Sequence, residues 1–155
     1  DRPDALFSLK KLGATDTVDQ APLPHIRQPT SARLALTHMC DVCTPPRKSL
    51  LRMLAEHCSN ADERLAILRM CSRTGAIDFE KNIKKVQPTL LHLLKEYPSC
   101  NPPLASLLES LSPLHPRMYS ISCSQEQVPD AVHVAFSVVS YEPAPGAGVR
   151  EGVAT

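Results

Sequence analysis

The chain has little net charge and no long apolar run, and these two absences exclude whole classes of protein. Seventeen basic and sixteen acidic residues leave a formal net charge of +1 over 155 residues. A balanced charge gives no long-range attraction to nucleic acid or to an anionic membrane, because affinity for phosphate backbones depends on clustered lysine and arginine. No run of about eighteen apolar residues occurs, so the sequence predicts no membrane-spanning segment.

The N-terminal residues lack the apolar stretch of a signal peptide. The chain starts with Asp1-Arg2-Pro3-Asp4, which is charged and contains an early proline. We therefore expect a cytoplasmic protein. Because the first residue is aspartate and not methionine, we also expect the sequence to be a segment of a longer protein.

A second Cys-x-x-Cys pair is missing, which argues against a zinc site. Cys40 and Cys43 have metal-ligand spacing, but structural zinc generally takes four ligands from paired half-sites. A thioredoxin-like redox pair is also disfavoured, because that motif opens a helix after a strand and this pair follows a helical stretch. We therefore predict no metal site. The six cysteines have no secretory context, so we expect reduced thiols at positions 40, 43, 58, 71, 100 and 123.

Helical periodicity dominates residues 31–112, whereas residues 1–30 contain four prolines and indicate loops with an incomplete strand. Helix-start signals precede apolar stripes at Thr44-Pro45-Pro46, at Asn60 with Glu63, and at Asn101-Pro102-Pro103. Breaks are predicted at Gly75, Gln87-Pro88 and Tyr97-Pro98. The sequence therefore predicts five or six short helices in this region.

After Leu114 the pattern changes from helical to strand-like. Residues 117–122 are predicted to form a short strand, and residues 131–141 a long one with alternating β-branched residues. One face of the long strand carries Val132, Val134, Phe136 and Val138. The opposite face is more polar, with small residues near its middle, which is typical of a surface covered by a ligand or another domain.

Two short stretches have the chemistry of a phosphate site. Arg117 and Tyr119 share one face of an extended segment, where a guanidinium fork binds phosphate oxygens and a phenol ring offers a flat apolar surface. They suit a ligand that is aromatic and phosphorylated, although an ordinary cross-strand or cation–π pair has the same spacing. Gly152-Val153-Ala154-Thr155 offers backbone N–H groups that approach a phosphate closely, in a tetrapeptide that is common in loops.

These residues resemble the diflavin reductases, a family that includes cytochrome P450 reductases, nitric oxide synthase reductase domains and methionine synthase reductases. The FAD-binding domains of this family carry an Arg-x-Tyr-Ser strand, a later strand that ends in an aromatic residue, and a Gly-Val-x-Thr/Ser turn. All three occur here in that order, at Arg117-Met118-Tyr119-Ser120, at Tyr141 and at Gly152-Val153-Ala154-Thr155.

The helical region adds to the resemblance. Residues 71–76 and 97–104 resemble the methionine synthase reductases in particular, and the cytochrome P450 reductases come next. Cys123 departs from the family pattern, because many relatives have serine there. The match covers about residues 10–142 well and the residues before them loosely.

The resemblance implies an α+β fold in which a helical connecting domain is inserted in a partial antiparallel FAD-binding β-barrel. Residues 1–30 would form a barrel strand and loops, residues 31–113 the α-helical connecting domain, and residues 114–155 the rest of the partial barrel.

The resemblance also implies roles for the motif residues. Arg117 would hold the FAD pyrophosphate, Tyr119 would cover the isoalloxazine ring, and Ser120 would lie near the reactive edge of that ring. No residue is expected to act as a catalytic nucleophile. The remaining contacts would come from the backbone of Met118, from Tyr141 stacked on adenine, and from the amides of Gly152, Val153, Ala154 and Thr155.

The implied activity is that of an NADPH-dependent diflavin reductase, which passes electrons from NADPH to FAD and then to FMN. FMN and NADPH would be bound by other domains of the full-length protein, a flavodoxin-like domain and an NADPH domain, so we expect this segment alone to be inactive. The acceptor would be cobalamin-dependent methionine synthase, which places the protein in methionine biosynthesis. The alternatives are a cytochrome P450 reductase-like electron donor and a non-enzymatic helical interaction scaffold.

Overall fold

The computed structural model describes residues 2–9, 23–142 and 148–152. The chain forms two compact units, Asp1–Leu114 and His115–Thr155. The described residues contain α-helices and small antiparallel sheets, which confirms the predicted α+β class. Within these ranges the sheets have two strands each and do not close into a barrel. None of the described helices is long and apolar enough to cross a membrane.

The helices of the described residues all lie in the first unit. They are α1 Ala32–His38, α2 Lys48–Glu56, α3 Ala61–Cys71, α4 Ala76–Phe79, α5 Leu90–Glu96 and α6 Leu104–Ser110. A π-helical segment, Glu80–Lys85, directly follows α4. Two antiparallel strand pairs complete the unit: β1 Leu6–Phe7 with β2 Thr30–Ser31, and β3 Cys40–Asp41 with β4 Ser112–Pro113.

The core of the first unit is built from the apolar stripes of its helices. Leu51 and Leu54 of α2 are buried, as are Ile67 of α3, Leu93 of α5 and Leu108 of α6. In α2 the buried positions recur three and four residues apart, which places them on one side of the helix. Burying each such side chain contributes roughly 1.5–3 kcal/mol, so packing against neighbouring helices stabilises elements too short to be helical alone.

The predicted start of α3 is confirmed, but only half of the predicted capping box forms. The Asn60 side-chain oxygen accepts hydrogen bonds from the N–H groups of Asp62 and Glu63, at 2.8 and 3.3 Å. The Glu63 carboxylate does not return to Asn60. It accepts instead from the backbone N–H and the hydroxyl of Ser99, at 3.1 and 2.7 Å.

The predicted start of α2 at Thr44 is wrong by several residues. The hydroxyl and the N–H of Thr44 donate to the Asp41 carboxylate, at 2.6 and 2.9 Å, so this side chain stabilises the turn after β3. The helix begins at Lys48, and Arg47 occupies the N-cap position without a side-chain cap bond. Proline in the preceding turn fits an extended entry to the helix equally well, which is why the sequence signal was ambiguous.

The predicted breaks are confirmed. Helix α3 ends at Cys71, before Gly75, and α5 ends at Glu96, before Tyr97-Pro98. Gln87, which precedes Pro88, leaves helical geometry as predicted, but its φ of 52° lies in the left-handed region and not in the extended region usual before proline.

The second unit contains less regular strand than predicted. Its strands are β5 Ser140–Tyr141 and β6 Arg150–Glu151, which pair antiparallel. The predicted strands 117–122 and 131–141 otherwise meet at one antiparallel bridge, between Ile121 and Val134. A strand needs a partner for its N–H and C=O groups, and the described part of this unit offers few partners, so a β-branched pattern alone does not give a continuous ladder.

The expectation of reduced thiols is wrong for two cysteines. Cys58 and Cys100 form a disulfide although they are 42 residues apart in the chain. They face each other in an antiparallel bridge between the segment after α2 and the segment before α6, a proximity that the helical pattern does not reveal. Cys40, Cys43, Cys71 and Cys123 are free.

Candidate functional site

The candidate site lies in the second unit, where two segments run antiparallel. Ile121 forms a bridge with Val134, and the Ser122 N–H donates to the His133 carbonyl at 2.8 Å. Extending this register by two residues places Tyr119 opposite Phe136. Their ring centroids are 5.7 Å apart with planes inclined at 60°, a tilted contact that aromatic pairs favour.

Arg117 lies two residues before Tyr119 and is exposed. Its Nη1 donates to the His115 carbonyl at 2.6 Å. In the described ranges no carboxylate forms an ion pair with it, whereas Arg33, Arg69 and Lys84 each have an acidic partner. Because the guanidinium carries five donors in a rigid fork, it retains donors for an anionic ligand.

The residues between and after this pair are also exposed. Met118 is 91% exposed, which fits a contribution from its backbone and not from its side chain. Ser120 is exposed and follows Tyr119 directly. Tyr141 is 47% exposed and belongs to a different strand pair, where it lies opposite Arg150.

Gly152 is the described part of the predicted pyrophosphate turn. Its N–H donates to the Val139 carbonyl at 2.9 Å, so this amide pairs with the backbone in the structure. Val153, Ala154 and Thr155 lie outside the described residues. Their predicted contacts with the pyrophosphate therefore stay predictions, as do the roles of the other motif residues.

Phe136 is a partner of the site that the sequence pattern does not reveal. The pattern places this residue on the apolar face of a long strand and assigns it no neighbour. Aligning residues 117–122 with residues 131–141 in antiparallel register would have paired it with Tyr119, but the register depends on the turn between the segments. That turn holds Cys123, whose Sγ accepts from the His133 N–H at 3.2 Å, beside a cavity of about 330 Å³.

The two buried free thiols of the first unit, Cys40 and Cys71, do not fit the role of a nucleophile. Burial raises the pKa of Cys40 and of Cys71, which disfavours the reactive thiolate. Arg52 and Lys48 oppose the shift at Cys71 by their positive charges, but burial is the larger effect.

The exposed pair fits a flavin nucleotide. A guanidinium without a carboxylate partner in the described ranges suits a pyrophosphate, and a half-exposed phenol ring suits an isoalloxazine ring. Phe136 contacts the Tyr119 ring and restricts its orientation, which lowers the entropy cost of stacking.

Comparisons with known proteins identify the family of the chain. The sequence model of the FAD binding domain matches residues 1–155. The chain is 40% identical over 144 residues to methionine synthase reductase from Mus musculus, which covers 91% of this chain and 21% of that protein. It is 36% identical over 154 residues to NADPH–cytochrome P450 reductase from Musca domestica, which covers 98% of this chain and 22% of the relative.

A nitric oxide synthase from Drosophila melanogaster is 33% identical over 152 residues, which cover 96% of this chain and 11% of that protein. The chain thus spans about a fifth of the length of each of the two reductases described above. These matches confirm the resemblance seen in the motifs, with FAD as the cofactor of the family. The chain therefore belongs to the FAD binding domain family, in the group of the diflavin reductases.

Proposed function

We propose that this chain is the connecting-domain and FAD-barrel segment of an NADPH-dependent diflavin oxidoreductase. Residues 1–30 and 114–155 would contribute to the barrel, and residues 31–113 would form the connecting domain. The observation that carries the proposal is the exposed Arg117 next to Tyr119, whose ring packs on Phe136 at 5.7 Å. The family match over residues 1–155 supports it.

FAD, when bound, supplies the chemistry: it accepts a hydride from NADPH and delivers single electrons to FMN. The chain's own residues bind and orient. Arg117 holds the pyrophosphate through paired N–H donors. Tyr119 covers one face of the isoalloxazine ring and excludes water from it, while Phe136 fixes the tilt of the phenol ring.

The other motif residues complete the proposed site. Ser120 places a hydroxyl near the reactive edge of the ring, and Met118 contributes its backbone. Tyr141 stacks on adenine from the strand pair β5–β6. The remaining contacts with the pyrophosphate would come from the backbone amides of Gly152, Val153, Ala154 and Thr155.

For the physiological acceptor we propose methionine synthase, which the protein would reactivate by reduction. The 40% identity to a methionine synthase reductase supports this assignment. A cytochrome P450 reductase-like donor is the second candidate, because the identity to such a reductase is 36% over nearly the whole chain. Both assignments place FMN and NADPH on other domains of the full-length protein.

Titration with FAD tests the cofactor assignment. Purified chain is added to FAD while flavin fluorescence is followed, and the titration is repeated with full-length protein and with a Tyr119→Ala variant. We expect quenching that saturates in the full-length protein and weakens in the variant. If neither the purified chain nor the full-length protein formed a yellow complex or quenched flavin fluorescence, the result would favour the alternative in which residues 31–112 form a non-enzymatic helical scaffold. Val149→Ala, which changes an exposed valine outside the motif residues, is the control.

A second experiment separates the two acceptors. The full-length protein is incubated with NADPH and an inactive form of cobalamin-dependent methionine synthase in one assay, and with NADPH and a cytochrome P450 in another. We expect reactivation of methionine synthase at a rate well above P450 reduction. The reverse preference would move the protein to the P450 reductase group without affecting the FAD assignment.

A further inference from the structure

Two segments of the first unit are held together by a short antiparallel backbone contact. The Ser59 N–H donates to the Ser99 carbonyl at 3.3 Å, and the Asn101 N–H donates to the His57 carbonyl at 3.1 Å. Cys58 and Cys100 lie between these two bonds, with their Cα atoms 4.1 Å apart. The backbone thus keeps the two side chains adjacent by contacts that do not depend on the disulfide.

A carboxylate completes this cluster. Glu63, in the first turn of α3, has a side-chain oxygen near both sulfur atoms, and the three potential ligand atoms lie within 4.8 Å of one another. Ser99 orients the carboxylate, because its N–H and its hydroxyl both donate to Oε2, at 3.1 and 2.7 Å. The cysteines are 9% and 8% exposed, so the cluster lies at the edge of the core with limited access to water.

We propose that Cys58, Cys100 and Glu63 form a binding site for a thiophilic divalent metal ion, of the Zn²⁺ or Cd²⁺ type, when the disulfide is reduced. Two thiolates and one carboxylate are ligands that Zn²⁺ accepts, and a water molecule takes the fourth tetrahedral position. The site differs from the Cys40–Cys43 pair, whose spacing resembles a metal motif but whose Cys40 thiol is buried with a raised pKa.

Formation of the site is a two-step process. A dithiol reductant breaks the Cys58–Cys100 bond, gives two thiols, and is itself oxidised to a disulfide. Metal binding then releases the two thiol protons to solvent, because only thiolates ligate the ion. The disulfide and the metal exclude each other, since the same two sulfur atoms form both. Metal binding therefore depends on the redox state of the protein.

Ser99 has the geometry of an outer ligand. Its N–H and its hydroxyl both donate to Oε2 of Glu63, and such outer contacts fix the direction of a ligand. Glu63 is freed for this role because Asn60 caps α3 without the reciprocal bond from Glu63. The site involves the first unit alone, so it holds whether or not the flavin assignment is correct.

Cadmium titration tests the proposal. The chain is reduced with a dithiol, freed of reductant under nitrogen, and titrated with Cd²⁺ while the ultraviolet thiolate-to-cadmium absorption is followed. We expect about one tightly bound equivalent in the reduced chain and none in the oxidised chain. Equal binding by the reduced and oxidised forms would overturn the proposal, because the oxidised form retains only the other four cysteines.

Substitutions identify the side chains that bind the ion. Cys58→Ser and Cys100→Ser should each abolish the tight equivalent, and Glu63→Gln should weaken it. Ser99→Ala should lower the affinity roughly ten- to hundredfold, as loss of an outer ligand contact does. Cys43→Ser is the matched control and should bind like the parent. Loss of binding in Cys43→Ser with retention in Cys58→Ser would assign the ion to the Cys40–Cys43 pair and refute the proposal.

A measurement on the wild-type chain does not depend on whether the variants fold. X-ray absorption of the reduced wild-type chain with one equivalent of Zn²⁺ should show two sulfur and two lighter ligands, with Zn–S distances of about 2.3 Å. A shell of four sulfurs, or of lighter ligands only, would contradict the proposed ligand set.

Discussion

Arg117 keeps its guanidinium at the surface, with one Nη1 bond of 2.6 Å to the His115 carbonyl. That bond uses one terminal nitrogen of the guanidinium and leaves the remaining N–H donors for a ligand. The charge is not neutralised by a carboxylate in the described ranges. If Arg117 binds an anion as proposed, its substitution should affect affinity more than stability.

Arg117→Ala in the full-length protein should lower FAD affinity roughly ten- to hundredfold, because a charge-assisted bidentate contact is worth about 1.5–3 kcal/mol. Arg117→Lys should recover part of this loss, since an ammonium keeps the charge and loses the fork. Equilibrium titration measures the affinity, and circular dichroism should be unchanged because the described helices lie in the other unit. An alanine variant with parental affinity would remove Arg117 from the site.

The surroundings of Tyr97, in contrast to those of Arg117, affect the stability of the folded chain. Burial raises the pKa of Tyr97 to about 12, and the negative charges of Glu96 and Glu63 act in the same direction. The unfolded chain ionises this phenol near the usual value of about 10. A raised pKa in the folded state means that its stabilising contribution is complete below about pH 10 and is lost as the pH rises through about 12.

We therefore expect the free energy of unfolding to fall more steeply above about pH 10 in the parent than in Tyr97→Phe, which cannot ionise. Urea unfolding followed by the helical circular dichroism signal, at a series of pH values, measures this difference. Tyr119→Phe is the control, because it removes a phenol from the other unit and should leave the pH dependence of the helical signal as in the parent. Parallel curves for the parent and Tyr97→Phe would show that the Tyr97 environment is not linked to folding.

At the scale of elements, the junction between α3 and α4 depends on one glycine. A Cβ atom added to Gly75 would overlap the Arg69 carbonyl oxygen near the end of α3, and that oxygen belongs to the backbone and cannot rotate away. The Gly75 φ of −92° is open to any residue, so the constraint is space and not backbone conformation. The close approach allows α4 to begin within a few residues of α3.

Gly75→Ala should therefore destabilise the first unit by roughly 1–3 kcal/mol, the usual cost of inserting an atom into a packed site. Urea unfolding at neutral pH provides the measurement. Leu65→Ala is a suitable control, because Leu65 lies on α3 with 64% of its surface exposed and should change stability by less than about 0.5 kcal/mol. Equal effects of the two substitutions would mean that the junction relaxes freely.

For the whole molecule, the Cys58–Cys100 disulfide closes a long loop within the first unit, with a sequence separation of 42 residues. Such a cross-link restricts the unfolded chain and typically contributes about 2–4 kcal/mol. Reduction should lower the free energy of unfolding of the helical unit by about that amount, measured by urea unfolding with and without a dithiol. Cys43→Ser should respond to reduction like the parent, whereas Cys58→Ser should not respond. A parent insensitive to the dithiol would contradict the prediction.

The local features of the fold can be predicted from the amino-acid sequence. It predicted the α+β class, five or six short helices and most of their ends, because caps, prolines and apolar periodicity act over a few residues. It also identified Arg117 and Tyr119 as a pair from their spacing and chemistry. The start of α2 was misplaced because Thr44 is equally able to cap a helix and to bond to Asp41 in a turn.

The tertiary structure alone decided which distant residues meet. It paired Tyr119 with Phe136, joined Cys58 to Cys100, and directed Glu63 to Ser99 instead of Asn60. It also limited the pairing between the two segments predicted as strands to the bridge at Ile121 and Val134, and it paired the end of the second segment with β6. These outcomes depend on register and on packing between segments far apart in the chain, and a local pattern carries no information about either.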